Sequence, residues 1–383
     1  MCADRMKFIC TRENLERAFS IAERFTGKNL TLPILGNMLL EVRENTLTVT
    51  ATNLEYAVQL TVSGSGDKGG KVSIPAKIAS ALVQSMSGFA GSSRGDDKIQ
   101  LEEKGGNVIM KSDTRDARLN GMPAQDFPLM PTMQKSASFE INSLELHNGL
   151  ASVLPAVSLS EFKPELAGIN CKVGLRTLHL AATDTFRLAE KTIPLARTGE
   201  PKQFSFILPQ RMASELSRIL DLPGQDGEEQ ISINLGDNQV LIEREGMRII
   251  SRLIEGNFPE YGAIIPNQFG TTCFLKRAEL LQAVRSSSIF ASKLQDVTFS
   301  FTKSECEISS SNQEIGEYHT RLPIALSGKE ARVSFNYRYL MDGLTMLHGE
   351  EIFFGMNDET APALMHDRTD NALLYVIMPI RVS

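Results

Sequence analysis

The chain contains three copies of one sequence pattern, and this internal repeat constrains the fold more than any other feature. Each copy opens on a phenylalanine that is followed seven residues later by a leucine. The three opening segments are FICTRENL from Phe8, FEINSLEL from Phe139 and FLKRAELL from Phe274. These phenylalanines are 131 and 135 residues apart, which is the size of one ordinary domain.

Further landmarks follow in the same order in each copy. An alternating strand pattern ends in a small, polar corner in LTVTATN (47–53), LHLAATD (178–184) and CEISSSN (306–312). A strand pattern that leads directly into a helix pattern comes next, in VSIPAK (72–77), FILPQR (206–211) and VSFNYR (333–338). We therefore predict three domains of one fold, at 1–134, 135–268 and 269–383. Residues 1–5 are expected to be an N-terminal extension ahead of a second candidate initiator, Met6.

Within each copy, the hydrophobic period changes between that of a helix and that of a strand. The first helix is predicted at 11–25, 142–154 and 276–290, and the second at 76–87, 209–220 and 337–347. Pro75 and Pro209 stand where a strand pattern changes to a helix pattern, a position at which a missing N–H costs little. The predicted fold class is α+β, with two helices and about eight strands per domain, the helices packing on antiparallel sheets.

The residues that most catalytic and metal sites need are scattered along the chain. The five cysteines contain no CxxC pair, and the five histidines contain no HxxxH or HExxH pair. The glycine-rich segment GSGDKG (64–69) precedes another strand pattern, whereas a dinucleotide-binding loop must open a helix. Asp184 beside Arg187 has no nucleophile in a matching role, and we interpret it as a strand-end corner. We predict no catalytic residue, no metal and no cofactor.

The sequence also indicates where the protein works. No apolar run approaches the roughly 18 residues that a membrane helix needs, and no charged and then apolar leader opens the chain. An odd, dispersed set of cysteines is typical of reduced thiols. We therefore expect a soluble, cytoplasmic protein with no membrane partner.

Charge is distributed unevenly between the predicted helices and the rest of the chain. The net charge is −6 and the isoelectric point is about 5.6, which argues against coating nucleic acid with bulk positive charge. The six helices nevertheless carry ten basic and seven acidic residues. Two interpretations stay open: ordinary solvated helix faces, or weakly positive faces that meet the phosphates of a duplex. For the second, the candidates are Arg12, Arg17, Arg24, Lys77, Arg211, Arg218, Lys276, Arg277, Arg285 and Arg338.

Several strings in the chain resemble those of the bacterial β sliding clamps, the processivity subunits of DNA polymerase III. The matching strings are TLPILGN (31–37), ATD and RLA within 182–189, NFPEY (257–261) and the terminal YVIMPIR (375–381). The resemblance spans essentially all of 6–383. It implies a DNA-clamp fold and a head-to-tail homodimer that closes as a ring, with helices lining the hole. It also implies a non-catalytic protein that encircles double-stranded DNA, holds it non-specifically by topology and slides along it.

Members of this family also bind partner peptides in one pocket per subunit, between the second and third domains. The implied partners are the α subunit of DNA polymerase III, the clamp loader and other proteins with a motif of glutamine and hydrophobic residues. Carried over position by position, the pocket consists of Leu166, Thr183, Arg187, Leu188, Pro259, Ile264, Asn336, Tyr339, Thr360, Pro362, Val376, Met378, Pro379, Ile380 and Arg381. Without the resemblance, we would interpret most of these residues as core.

The chain departs from the family pattern at three places. Phe186 stands where many relatives have histidine, which would make the rim of the pocket more apolar and insensitive to pH. Ala263 stands where some relatives have arginine. Asn29 occupies a position that is basic in some members, and the neighbouring Lys28 is the candidate to replace it at the DNA.

Two other functions stay open on the sequence alone. One is a cytoplasmic enzyme built from a triplicated domain, with its site at a domain junction. The other is a monomeric scaffold that has the pocket without the ring. Binding of a pocket-type peptide distinguishes a clamp from the enzyme, and sedimentation near twice 42.2 kDa distinguishes a clamp from the scaffold.

Overall fold

A computed structural model of the protein describes residues 6–27, 31–86, 98–113, 115–160, 162–195, 203–221 and 229–380. The proposed N-terminal extension at 1–5, Lys28 and Arg381 lie outside these residues. Over the described residues the α+β fold class is confirmed, because antiparallel strand pairs build the sheets and helices pack on them in pairs.

The described elements follow the three repeats. The first repeat contains β1 (Lys7–Thr11), α1 (Arg12–Arg24), β2 (Asn37–Arg43), β3 (Thr46–Thr52), β4 (Tyr56–Ser63), β5 (Ser65–Lys68), β6 (Gly70–Pro75), α2 (Ala76–Ser85), β7 (Lys98–Lys104), β8 (Asn107–Lys111) and β9 (Asp116–Leu119). The second contains β10 (Ala137–Asn142), α3 (Ser143–Val153), β11 (Gly168–Val173), β12 (Thr177–Thr183), β13 (Arg187–Pro194), β14 (Phe204–Pro209), α4 (Gln210–Leu220), β15 (Gln230–Leu235), β16 (Gln239–Arg244) and β17 (Met247–Arg252). The third contains β18 (Thr271–Lys276), α5 (Arg277–Ser287), β19 (Asp296–Phe301), β20 (Glu305–Asn312), β21 (Gly316–Pro323), β22 (Ser327–Gly328), β23 (Ala331–Asn336), α6 (Tyr337–Met346), β24 (Glu351–Met356), β25 (Ala363–Asp367) and β26 (Leu373–Ile377).

All six predicted helices are present, each one to four residues shorter than expected. The largest difference is in α5, which ends at Ser287 and continues as a 3₁₀ turn over Ser288–Phe290. Asn142 caps α3, because its side chain accepts hydrogen bonds from the backbone N–H groups of Leu144 and Glu145. The strand predicted after the GSGDKG segment is confirmed, because the segment leads into β6, and residues Ser65–Lys68 of the segment itself form the short strand β5.

The alignment of the third repeat was wrong by one residue. Phe8 and Phe139 are buried in the core, whereas Phe274 is 40% exposed and Cys273 takes the buried position. The leucine that follows in the core is likewise Leu280, since it is fully buried. A shift of one residue along a strand moves every side chain to the opposite face, which explains why Phe274 lies outside the core.

Each first helix packs on the same two strands of its own repeat and on the second helix. α1 contacts β3, β4 and α2, α3 contacts β12, β13 and α4, and α5 contacts β20, β21 and α6. Burial of Leu15, Leu146 and Leu280 anchors the three helices, and each buried leucine is worth about 1.5–3 kcal/mol. The three repeats therefore share one packing scheme. None of the described helices is both long and apolar enough to cross a membrane.

The described residues form two compact units. The first unit, Met1–Glu140 with Gln230–Arg252, holds the five-stranded sheet β5-β1-β7-β8-β9 and most of the eight-stranded sheet β10-β15-β16-β17-β4-β3-β2-β6. The second unit, Ile141–Glu229 with Leu253–Ser383, holds the nine-stranded sheet β14-β11-β12-β13-β26-β25-β24-β18-β22 and the four-stranded sheet β21-β20-β19-β23.

These units differ from the repeats because sheets continue across the repeat boundaries. Within the first unit, β4 of the first repeat pairs with β17 of the second, with Ala57 opposite Ile250. Within the second unit, β13 of the second repeat pairs with β26 of the third, with Leu188 opposite Val376. The last strands of the second repeat thus belong to the first unit, and the predicted boundaries near 135 and 268 describe sequence repeats.

Candidate functional site

The corner between β12 and β13 is held by hydrogen bonds from side chains to the backbone. The Asp184 carboxylate accepts from the N–H groups of Phe186 and Arg187, both at 3.0 Å. The Thr183 hydroxyl donates to the Arg187 carbonyl at 2.6 Å and accepts from the Thr185 N–H at 3.1 Å. Thr185 has a φ of 79°, which is strained for a β-branched residue and persists where the surroundings enforce it. The interpretation of Asp184 as a corner residue is confirmed.

The Arg187 side chain, only 10% exposed, is held by three groups. Its Nε lies 2.9 Å from the Asp184 carboxylate, its Nη1 pairs with the Asp342 carboxylate on α6, and its guanidinium carbon lies 4.4 Å from the centre of the Tyr339 ring. Burial disfavours the charge of Arg187, but Tyr375 and the Asp342 carboxylate outweigh burial and raise the pKa. Arg187 therefore stays charged and works as a fixed wall of the site.

Two aromatic rings form the rim above this wall. The Phe186 and Tyr339 rings are stacked, with centroids 6.4 Å apart and planes at 23°. Phe186 is 58% exposed, whereas the Tyr375 hydroxyl anchors the helix beneath by donating to the Tyr339 carbonyl at 2.8 Å. A ligand would therefore meet an aromatic edge that is already in place.

An apolar floor lies on the nine-stranded sheet beside the corner. Leu188 on β13, Val376 on β26 and Leu364 on β25 are neighbours across the strands and form one buried cluster. The partly buried side chains that pack against this cluster are Tyr261, Ile265, Phe269 and Leu374. Because the three central residues are buried, they support the floor, and the partly buried side chains carry its accessible surface.

The segment after β26 is fixed at both ends of its described part. The Met378 N–H donates to the Phe186 carbonyl at 2.8 Å, and the Ile380 N–H donates to the Ser334 carbonyl at 2.7 Å. Met378, Pro379 and Ile380 are therefore held next to the aromatic rim and the strand β23. Arg381, the last predicted pocket residue, is outside the described residues.

The remaining predicted pocket residues occupy different kinds of position. Asn336 caps α6 by accepting from the Arg338 N–H at 2.9 Å, and the Thr360 hydroxyl donates to Asp358 at 2.7 Å. Pro259 is exposed and Ile264 is 48% exposed, whereas Pro362 is partly buried. Leu166 is buried and lies in the short 3₁₀ turn Pro164–Leu166, so it is a supporting core residue.

Sequence reasoning missed the residues that orient this site. Asp342 and Tyr375 hold Arg187 and Tyr339, and Phe269 packs on the apolar floor. Asp342 lies one turn beyond Arg338 on the same helix, but no pattern connects it to a partner 155 residues away. Only the fold brings the two together.

The same corner occurs in the first repeat with different side chains. Asn53 accepts from the N–H groups of Glu55 and Tyr56 at 3.0 and 2.9 Å, and Leu54 has a φ of 77°. The Glu55 carbonyl accepts from the Arg252 N–H at 2.9 Å, as the Phe186 carbonyl does from Met378. The first and second repeats thus share the backbone conformation of this corner, and the exposed Phe186 beside the partly buried Arg187 distinguishes the second copy.

All but one of the candidate DNA-contacting residues in the described part of the chain lie on α1, α2, α4, α5 or α6. The exception is Lys276, which directly precedes α5. The exposed members are Arg17, Lys77, Arg211, Arg218, Lys276, Arg285 and Arg338, and the partly buried ones are Arg12, Arg24 and Arg277. Lys28 is outside the described residues.

Several of these basic side chains are already engaged within the protein. Arg218 lies 3.4 Å from Glu215, and Lys276 lies 2.9 Å from Glu279. Arg277 donates a hydrogen bond to the Leu344 carbonyl at 3.0 Å, so its side chain satisfies a backbone carbonyl in the last turn of α6. The positive charge that these helices offer is therefore modest. No cluster of three or more metal-ligating side chains occurs among the described residues.

Comparison with known proteins identifies the family. Family models of the DNA polymerase III β subunit match the chain in three consecutive parts, the N-terminal domain at 6–131, the central domain at 140–260 and the C-terminal domain at 262–381. The β sliding clamps of Synechocystis sp. and Bacillus subtilis are 27% and 26% identical to the chain, covering 98% of it and 100% of each relative.

Solved structures agree over the same length. The Bacillus subtilis sliding clamp is 26% identical with a TM-score of 0.90, and the match covers 99% of this chain and all of that one. A DnaN sliding clamp from Pseudomonas aeruginosa, 24% identical, has the same fold with a TM-score of 0.92 over 98% of this chain and all of that one. With three consecutive domains of one subunit matched from residue 6 to residue 381, this chain belongs to the bacterial β sliding clamp family.

Proposed function

We propose that this chain is a non-catalytic processivity clamp that closes as a head-to-tail homodimer around duplex DNA and tethers a DNA polymerase to it. The observation that carries the proposal is the corner site. There, an aromatic rim, an apolar floor and a fixed terminal segment meet on the sheet that joins the second and third repeats.

The chemistry of this site suits a short peptide with hydrophobic side chains. The partly buried Tyr261, Ile265 and Met378 offer an apolar surface that adapts to aliphatic and aromatic residues. Asn336 and Thr360 supply a few polar groups that would orient a glutamine amide. We infer that the partners are the polymerase α subunit, the clamp loader and other proteins with the same motif.

The helices supply the DNA-facing surface in this proposal. Their exposed arginines and lysines contact phosphates without reading sequence, and each contact adds affinity at the expense of mobility. Pairing of Arg218 with Glu215 and of Lys276 with Glu279 weakens this attraction. A weakly positive surface of this kind suits a protein that is retained by enclosure and slides.

Two unpaired strand edges support the head-to-tail dimer. Among the described strands, β9 ends the five-stranded sheet of the first unit, and β21 ends the four-stranded sheet of the second. Open edges attract further strands unless they are covered. The exposed Arg118 on β9 and the exposed Glu317 on β21 have opposite charges, which favours pairing between the first unit of one copy and the second unit of another.

An apolar patch lies beside the edge strand β21. Phe290 stacks on Tyr318 of β21 with ring centroids 5.9 Å apart, and Ile289 and Ile315 are 67% and 60% exposed. Exposed apolar groups of this kind are typical of a surface that another chain covers. A head-to-tail contact uses different surfaces on the two partners, so two such contacts close a dimer.

We place the protein in the cytoplasm, in keeping with the four described cysteines, which are free and buried. The proposal is tested by titrating a labelled peptide of glutamine and hydrophobic residues and by measuring the mass of the free protein by sedimentation. We expect saturable binding and a mass near twice 42.2 kDa. A protein that binds the peptide but sediments as a monomer would instead be the scaffold, and one that binds no peptide would contradict the site.

A further inference from the structure

A second cavity lies beside the corner site and is not explained by the peptide motif. It has a volume of about 580 Å³, within the usual range for ligand sites. Its walls come from Thr298, Arg332 and Ser334 on β19 and β23 and from Glu359, Thr360 and Ile380 after β24 and β26. Thr360 and Ile380 are also predicted pocket residues, so the cavity shares two residues with the proposed peptide site.

The walls of this cavity are fixed in the free protein. The Ser334 hydroxyl, on a residue that is 8% exposed, lies 2.8 Å from the Thr298 hydroxyl. The Asp358 carboxylate accepts from the Thr360 hydroxyl and N–H and from the Ala361 N–H at 2.7–2.9 Å. The Thr360 hydroxyl in particular lowers the pKa of Asp358, so the loop stays bound to a charged carboxylate. A ligand that enters the cavity would therefore find it preformed.

One side of the cavity is the edge strand of the four-stranded sheet. In the order β21-β20-β19-β23, β23 is the last strand, and its Ser334 carbonyl accepts from the Ile380 N–H at 2.7 Å. That carbonyl thus points away from β19. Backbone groups two residues apart point the same way, so the N–H and C=O of Arg332 face the same edge as the Ser334 carbonyl. An extended peptide could pair with them, as in strand addition to other sheets.

The charges of the cavity favour one kind of peptide. Arg332 is exposed, and no ion-pair partner for it occurs among the described residues. A guanidinium binds a carboxylate through two parallel hydrogen bonds, which gives both affinity and orientation. Glu359 on the other wall disfavours a second acidic group. The complementary ligand is an extended segment with one acidic side chain directed at Arg332.

We propose that this cavity binds the residues that flank the partner's motif, as an extended segment with an acidic side chain against Arg332. The inference rests on the proposed function, because the motif itself must occupy the corner site. It adds a specificity determinant: partners with the same motif would differ in affinity according to the charge of the flank. The net charge of −6 repels an acidic peptide in general, so a gain from an acidic flank has the opposite sign to bulk electrostatics.

The test compares three labelled peptides by fluorescence anisotropy: the motif alone, the motif with a four-residue flank containing aspartate, and the same flank with asparagine. The flank is placed at the N-terminal end in one series and at the C-terminal end in another. We expect the acidic flank in one of the two series to tighten binding about fivefold over the neutral flank. Arg332→Gln should remove that gain and leave binding of the motif alone within about twofold.

Two further variants make the result specific. Arg248→Gln removes an exposed arginine on the other compact unit and should leave the gain intact. Arg332→Glu should reverse the preference, so that a lysine flank binds more tightly than an aspartate flank. The proposal is overturned if the acidic flank gives no gain in either series, or if the gain survives in Arg332→Gln. If the motif alone does not bind, the proposed function fails together with this inference.

Discussion

Arg187 on β13 and Asp342 on α6 form an ion pair between positions 155 residues apart in the chain. Asp342 follows Arg338 by four residues, about one turn of the same helix. One helix therefore carries both a candidate phosphate contact and a wall of the proposed peptide site. The pair joins the second and third repeats within one compact unit and fixes the group that supports the aromatic rim.

Loss of the Asp342 carboxylate should weaken peptide binding. In Asp342→Ala, Arg187 keeps only Asp184 as an ionic partner and is free to leave the Tyr339 ring. We expect peptide affinity to fall about fivefold, with a loss of unfolding free energy of about 1 kcal/mol because Asp342 is 43% exposed. Isothermal titration and thermal unfolding measure the two effects. Glu279→Ala breaks an exposed pair on α5 and is the control, and equal peptide affinities in both variants would contradict the role of Asp342.

The exposed aromatic rim should contribute to peptide binding and not to the structure of the β12–β13 corner. We expect Phe186→Ala to reduce peptide affinity about fivefold, since it removes the exposed ring of a stacked pair. The matched control is Glu55→Ala, because Glu55 occupies the same place in the same turn of the first repeat. Titrations with one peptide compare the variants. Unchanged affinity in Phe186→Ala, or an equal loss in Glu55→Ala, would show that the rim does not contact the peptide.

Charge reversal on the helices should separate DNA binding from peptide binding. We predict that Arg24→Glu, Lys77→Glu and Arg211→Glu together weaken loading on primed circular DNA, most strongly at low salt, because phosphate contacts depend on counterion release. Peptide affinity should stay within about twofold of the wild type. Loading is measured by retention of labelled protein on the circle. An equal loss of both activities would mean that the substitutions disturb the fold or that the two surfaces are one.

The buried cysteines should be unreactive at neutral pH. Burial raises the pKa of Cys10 and of Cys273 to about 12 and also raises the pKa of Cys171 and Cys306. The thiolate is the reactive form, so native protein should react with a thiol reagent orders of magnitude more slowly than unfolded protein at pH 8. The measurement uses Cys2→Ser, because Cys2 is outside the described residues. Rapid native labelling of all four thiols would contradict their burial.

The raised pKa values of the buried cysteines predict that the folded protein becomes less stable at alkaline pH. Folded thiols with raised pKa values stay protonated where unfolded thiols have lost their protons, above pH of about 9. The unfolded state then binds fewer protons, so the free energy of unfolding should decrease as pH rises from about 9 towards 12. Replacement of Cys10 and Cys273 by alanine should flatten this decrease.

The sequence pattern predicted the elements better than the contacts between them. Helix positions followed from hydrophobic spacing and from caps such as Asn142, since both are local signals. The predicted alignment of the third repeat is one residue out of register in β18. Phe274 is the same residue type as the buried Phe8 and Phe139, and it therefore aligned with them in the sequence although it is exposed. Phe274 instead lies opposite Phe353 and beneath the Arg368 guanidinium, so its neighbours on other strands decide its face.

The geometry of the candidate site could likewise not be predicted from local sequence patterns. Its chain positions came from a resemblance, whereas its geometry depends on partners distant in sequence, such as Asp342 for Arg187 and Ser334 for Ile380. Strand pairing between β13 and β26 creates these contacts, and no local pattern encodes which strands pair across a repeat boundary. The second cavity was not predicted for the same reason.

The central claim is that the protein is held on DNA by enclosure, and one measurement tests it most directly. The full-length protein is loaded by its clamp loader onto a nicked circular duplex, the free protein is removed by gel filtration, and half of the sample is cut once with a restriction enzyme. We predict that the protein stays on the intact circle and leaves the linear molecule through its ends. Equal retention on circular and linear DNA would contradict the account.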